Sequence, residues 1–356
     1  MIPAVLLLTV MILALFEIAS RRADLRNLHV HFSIDTKLSE PGETVTLRYT
    51  VRNSSPLPVM YAGLSLRLDT AFTPEEDEEF MRKHAVSDFA GTLISHNFYL
   101  APKRQFSGKL RFSVRQRGLY DLGRYYLEFG DFLGLKPRVL SEDTGIRIIC
   151  TAAPCDTPSI RALGGELGAV SVRRFLYDDP TMVLGYRDYS GREPLKQISW
   201  NQSAKAGRLI VRQHDFTTDR AAVVIVNIDP SSRRLMEHCL SLTSSVCKIL
   251  EKEQIPYAMM SNGDLQSLTE GLGASHLFFI QRRIGLSRLT GYTGFASVIE
   301  NCLRRKKPGC THIVITPSLD EATQAAISRL TRHIDRKPVI LCAEDDLVQT
   351  ERKSAS

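Results

Sequence analysis

The densest group of chemically capable side chains lies between residues 185 and 212, GYRDYSGREPLKQISWNQSAKAGRLIVR. Arg187, Asp188, Glu193 and Lys196 alternate in charge around Trp200, the one tryptophan of the chain, and the stretch runs into an apolar segment ending at Arg212. Two readings follow. The charges could pair and staple this stretch against the domain that follows, with Trp200 packed beneath. Alternatively they could form a docking surface, since Trp and Arg are enriched at interaction hot spots. Catalysis by paired carboxylates would need Asp188 and Glu193 to face one cleft, which the spacing does not require. A second group, Arg304-Arg305-Lys306-Lys307, is basic. It reads as a solvated helix end, as a contact for an anionic membrane surface worth about 1 kcal/mol per cation, or, third, as a nucleic-acid contact. No aromatic-interleaved groove accompanies it, so no nucleic-acid partner is expected. G-x-x-x-x-G-K-[ST], G-x-S-x-G and H-E-x-x-H patterns are absent. His29 and His31 share one strand face, but with no third ligand apparent they read as exposed histidines.

The elements that must position these groups fall into two sets. Residues 27–150 read as an antiparallel β-sandwich: Leu28–Ser33, Thr44–Val51, Leu64–Leu68, Gly108–Val114 and Tyr120–Phe129 are short segments, mostly alternating, between turn residues. Glu75–Glu79 is an acidic insertion, read as a solvated loop or short helix. A linker over 151–184 carries Pro154, Pro158, Gly164, Gly165 and Gly168. Beyond it, apolar strands at Ala222–Asp229, Pro256–Ser261, Thr311–Thr316 and Pro338–Ala343 alternate with helical patterns at Arg233–Lys252, Phe295–Arg305 and Asp320–Ile334. That alternation means an open α/β sheet, so 185–348 is read as one α/β domain preceded by the charged stretch. The fold class expected is α+β multidomain.

The 185–212 stretch resembles the signature of the domain of unknown function 58 family: Arg187-Asp188-Tyr189, then Gly191, Glu193, Lys196, Ile198-Ser199-Trp200, Ala204-Lys205 and Val211-Arg212. Arg117–Gly123 and Asp131–Leu135 are similar to two marks that close the β-domain of that family. The resemblance covers nearly the whole chain, with departures at Arg192, Glu193 and Lys196, where the family carries Gly, Asp and Arg. It implies a membrane-anchored protein with a von Willebrand A-like (Rossmann-like) domain, working with a MoxR-type AAA+ ATPase. It also implies where a Mg²⁺ ion would bind, through Asp-x-Ser-x-Ser after the first strand and a later Thr and Asp. Asp229 and Ser231 match and Thr293 could supply the middle ligand. Arg233 stands in the last hydroxyl position, and Thr316-Pro317-Ser318 replaces the later Asp-Gly. The expectation is therefore no metal and no cofactor, with Asp229 pairing with Arg233 or capping the following helix.

Composition sets the frame. The 356 residues are 43% hydrophobic and 24% charged, with a net charge of +7, which excludes disordered and collagen-like chains. Seven cysteines without a C-x-x-C pair read as buried free thiols. Residues 2–16 are uncharged, Glu17 follows, and then Arg21, Arg22 and Arg26. The run lacks a basic start and a cleavage site, so it reads as a transmembrane anchor over 1–20 rather than a signal peptide. The arginines would then hold the rest in the cytoplasm of a bacterial cell, single-pass at its membrane. The function expected is that of a non-enzymatic, membrane-anchored interaction or scaffold protein in cell-envelope or complex-assembly processes. The alternatives are a metal-assisted hydrolase at Asp229 and Ser231, and a peripheral lipid or nucleic-acid binder.

Overall fold

The computed structural model describes residues 2–21, 27–130, 137–173, 183–191, 198–214, 221–305, 310–334 and 336–354. The chain forms two compact units, Met1–Ala153 with Ile284–Leu286, and Pro154–Arg283 with Ser287–Ser356. It opens on helix α1 (Ile2–Arg21). Among the described residues no helix is long and apolar enough to cross a membrane. This corrects the expected anchor over 1–20, and with it the transmembrane part of the fold class and the single-pass location at a bacterial membrane. The physical reason is span: the fifteen uncharged residues rise about 22 Å as a helix, against a hydrocarbon core of about 30 Å. Glu17, which ends the run, is buried.

In the first unit the strands are β1 (Leu28–Ile34), β2 (Leu38–Ser39), β3 (Val45–Asn53), β4 (Val59–Leu68) and β5 (Phe72–Pro74). After helix α2 (Glu78–His84) come β6 (Ala85–Asp88), β7 (Gly91–Leu100), β8 (Gln105–Val114), β9 (Gly118–Asp121), β10 (Arg124–Phe129), β11 (Arg138–Asp143) and β12 (Arg147–Cys150). They pair as sheets β1-β3-β8-β5, β11-β10-β4-β7-β6 and β2-β12-β9. Strict alternation explains the core. Val45, Leu47, Tyr49 and Val51 of β3 and Leu110, Phe112 and Val114 of β8 bury one face, and share a cluster with Leu64, Leu66 and Leu127 of the second sheet. Gly108 is required where it stands, because a Cβ there would meet the Tyr49 ring at 2.3 Å. The acidic insertion differs from a solvated loop at one residue. The Glu76 carboxylate is only 8% exposed and accepts from the Arg111 guanidinium at 3.1 Å and from the Arg111 backbone N–H at 2.7 Å.

The second unit begins with α3 (Pro158–Arg173), which falls within the stretch read as a linker. Ile160, Leu163 and Leu167 give it a buried stripe at helical spacing, a pattern that the surrounding glycines and prolines obscure. Next come β13 (Val183–Asp188), α4 (Trp200–Ala206) and β14 (Ile210–His214). The α/β layer follows, with β15 (Ala222–Val226), α5 (Arg233–Lys252), β16 (Tyr257–Ser261), β17 (Ser267–Gly271), α6 (Ala274–Leu286), α7 (Phe295–Arg304), β18 (Thr311–Thr316), α8 (Glu321–His333), β19 (Val339–Cys342) and α9 (Ala343–Ser354). The sheet order is β17-β16-β15-β18-β19, parallel except for β17 on its edge. The order reverses beside β15, whose carboxyl end is therefore the switch point of the sheet. On one face Ile225, Met260 and Val314 pack with Val298, Ile299 and Cys302 of α7 and with Ala326, Ile327 and Leu330 of α8.

Candidate functional site

The described residues of the signature stretch form a two-stranded sheet and one helix. β13 and β14 pair antiparallel, with Tyr186 opposite Arg212, Arg187 opposite Val211 and Asp188 opposite Ile210. Ile198 bridges the other edge of Val211, and both are buried. Helix α4 sits on this ladder because Ser203 is spent on it: the Ile210 N–H donates to the Ser203 hydroxyl at 2.8 Å. Gly207 ends α4 in the left-handed conformation (φ 67°) that a glycine adopts without strain.

The groups singled out are thereby sorted by strand alternation. Tyr186 and Asp188 occupy one face by register, and Arg187 the other; Tyr189 follows β13 and its N–H donates to the Leu209 carbonyl at 2.9 Å. Asp188 pairs with Arg208 at 3.0 Å, both exposed, a contact worth roughly 0.2–1 kcal/mol. Trp200 is 65% exposed, and Tyr186 is 51% exposed. The tryptophan is therefore not packed beneath its neighbours, and the staple reading loses its central residue. Glu193 and Lys196 lie outside the described residues, as does the side chain of Arg212.

The switch point is built from different residues than the family pattern suggests. At the end of β15 the Asn227 side-chain amide donates to the Thr316 hydroxyl at 3.1 Å. Asn262, after β16, accepts from the Ile228 N–H at 2.7 Å and donates to the Ile228 carbonyl at 2.9 Å and to the Asn227 amide oxygen at 3.3 Å. The Thr316 hydroxyl donates onward to the Ser318 carbonyl at 2.9 Å. All three side chains are buried, so the floor of the crevice is a closed amide–hydroxyl network. Asp229 accepts from the Ser231 N–H at 3.0 Å, turning its own loop. The cap of α5 is Ser232, which accepts from Leu235 N–H, and not Asp229. Thr293 is exposed and its N–H donates to the Asn262 carbonyl.

These residues do not fit a Mg²⁺ ion. The Asp229 carboxylate accepts from its own loop, and Arg233 brings a cation to the position where the pattern has its last hydroxyl ligand. Among the described residues no three His, Cys, Asp or Glu side chains gather in a metal-holding group. Asp320 caps α8, and its hydrogen bonds from Thr323 hold it below the ordinary carboxylate range. Of the basic cluster, Arg304 and Arg305 are exposed at the end of α7, while Lys306 and Lys307 lie outside the described residues. The sequence reading missed Asn227, Asn262 and Thr316. The signal available was an asparagine directly after each of two apolar strand runs, where a polar floor is placed.

No family model and no curated protein matches the chain. Among solved structures, a type II cohesin domain from the cellulosome of Acetivibrio cellulolyticus is 14% identical, with a TM-score of 0.23 over 32% of this chain and 95% of that one. The sporulation control protein Spo0M of Bacillus subtilis is 14% identical, with a TM-score of 0.21 over 46% of this chain and 58% of that one. A GH20 exo-β-N-acetylglucosaminidase from Vibrio harveyi is 13% identical, with a TM-score of 0.23 over 92% of this chain and 66% of that one. At these TM-scores none of the likenesses amounts to a shared fold.

Proposed function

We propose that this chain is a non-enzymatic protein-interaction module and that the β13–α4–β14 unit is its docking surface. The observation that carries the reading is Trp200, a large aromatic left 65% exposed on a helix that is itself fixed in place. Burying an exposed tryptophan gains more on binding than burying most side chains, and Tyr186 and the Asp188–Arg208 pair of the same segment supply polar contacts. The partner we infer is a MoxR-type AAA+ ATPase, acting in cell-envelope or complex-assembly processes; this rests on the resemblance of residues 185–212 to the domain of unknown function 58 family. The test is affinity between the full chain and a purified MoxR-type ATPase encoded in the same genome. Trp200→Ala should weaken binding at least about tenfold, the ordinary cost of truncating a hot-spot residue. Unchanged affinity in that variant, with its melting curve intact, would remove the proposal.

A further inference from the structure

Helix α2 is held to the β-sandwich by little. It is seven residues long and none of its side chains is fully buried. A helix of that length does not persist alone in water, so its position depends on what it packs against. Phe80 joins the edge of the core, and the Phe80 and His84 rings lie 5.1 and 4.6 Å from the ring of His96 on β7. His96 pairs in register with the buried Leu64 of β4, so it faces inward beneath α2. On its other side Tyr49 of β3 and Phe106 of β8 border the same ring at 5.7 and 6.4 Å, from two strands zipped together by their own ladder.

The hydrogen bonds decide where the hydrogens lie. The Ser95 carbonyl can only accept, so His84 donates to it through Nδ1–H at 3.0 Å. Tyr49 is 5% exposed, and its hydroxyl bonds to Nδ1 of His96. Burial first, and then Glu76, push the Tyr49 phenol up, so the hydroxyl keeps its hydrogen. With no other acceptor for it among the described residues, the hydroxyl donates and Nδ1 accepts. The imidazole of His96 is thus neutral, with its hydrogen on Nε2. A proton arriving on Nδ1 would set two donors against each other and leave the buried hydroxyl hydrogen without an acceptor. Charge on His84 would stand beside it as well. Burial first, and then His84, hold His96 below the ordinary histidine range, while Glu76, the smallest of the three influences, acts in the other direction. The Glu76 carboxylate is already engaged by the Arg111 guanidinium and backbone N–H. Of the other charged groups of α2, Glu78 and Arg82 are exposed, and Glu79 and Lys83 pair with each other in solvent at 2.6 Å.

We propose that this contact is an acid-sensitive latch: when His96 takes up a proton, α2 releases from β7 and opens the imidazolium to water, and when the proton leaves the helix docks again. Opening α2 is the least costly way to hydrate the charge, because the strands on the other side of the ring carry buried core residues and α2 carries none. His96 is held below the ordinary histidine value of 6.5, so docking is fully stable above that pH and weakens as pH falls below it. The latch uses no residue of the docking surface and does not depend on that reading.

The experiment is hydrogen–deuterium exchange of the full chain at about pH 7.5 and about pH 5, read as protection factors so that the intrinsic pH dependence of exchange is removed. Amides of Glu78–His84 should lose about tenfold in protection at the lower pH, while those of β3 and β8 keep theirs. Ring titration of His96 by NMR should give a midpoint below 6.5. His96→Gln, which takes up no proton, should abolish the difference between the two conditions. His84→Gln, which removes the neighbouring charge and keeps a donor for the Ser95 carbonyl, should raise the His96 midpoint and shrink the difference. If His96→Gln fails to fold, His84→Gln decides. Equal protection of α2 at both pH values overturns the proposal, as does an equal loss in His96→Gln. So does a His96 midpoint at or above the ordinary value, or one that ignores His84→Gln.

Discussion

The two ends of the same five-stranded sheet are finished in opposite ways. At the carboxyl ends of β15 and β18, Asn227, Asn262 and Thr316 use their polar groups on one another and on the backbone. At the amino ends the first row is Ala258, Val223 and His312, and a cavity of about 320 Å³ is left. Open α/β sheets ordinarily place ligands at the carboxyl ends, where the strand order reverses. Here that position exists but its polar groups are already satisfied, whereas the opposite end has volume, with Glu270 and Arg305 in its lining. A switch point supplies a location. Whether it is a site depends on whether its donors and acceptors remain uncommitted.

Breaking the closed end should produce the largest effect. Asn262→Ala removes three hydrogen bonds and leaves the Ile228 N–H and the Asn227 amide without their partner in a buried setting. A loss of about 3 kcal/mol is expected at one to three per unsatisfied group, read as a lower midpoint in urea unfolding. A loss under about 1 kcal/mol would mean that water replaces the amide and that this end is not closed. At the open end the contrast sharpens. Ala258→Leu should change stability by less than about 1.5 kcal/mol, because added methylenes enter existing space rather than a packed core. A cost of 3 kcal/mol or more there would show that the gap is tightly filled.

A pH measurement bears on the same end. The folded Cys302 thiol titrates near 11, above its ordinary value, so its burial stabilises the fold fully below pH 9 and that contribution is lost as pH rises toward 11. Cys302→Ser should flatten the part of the alkaline stability profile between those limits, and an unchanged profile would contradict the assignment. The smallest effect belongs to the docking unit. Asp188→Asn should cost under about 1 kcal/mol, since both partners of the Arg208 pair are exposed. Trp200→Ala should leave thermal unfolding unchanged, because an exposed ring contributes little to the core.

Legibility followed local repetition. The alternation of Val45, Leu47, Tyr49 and Val51 is visible in the sequence and is the buried face of β3. The continuous run at Ala222–Val226 is likewise visible and is a strand buried on both sides. Where glycine and proline interrupt a pattern, the pattern is lost: α3 hides among Pro158, Gly164 and Gly165. The apolar run at the start has the character of a span but not its length, since Glu17 closes it after fifteen uncharged residues. The charged stretch 185–212 was recognisable as special, but its type alone could not say which side chains face out.

The sequence by itself determined the elements whose hydrophobic period is unbroken and the two concentrations of charge, because hydrophobic period and residue chemistry are written locally. The tertiary structure alone decided that Trp200 stands in solvent, that Glu76 meets Arg111, that Asn227, Asn262 and Thr316 close the switch point, and that Glu270 and Arg305 share one cavity. Each of those pairings joins residues that strand order brings together across long stretches of chain. Nothing in the spacing of a linear chain encodes which donors will be spent and which space will stay empty, since both depend on how the packed side chains fill three dimensions.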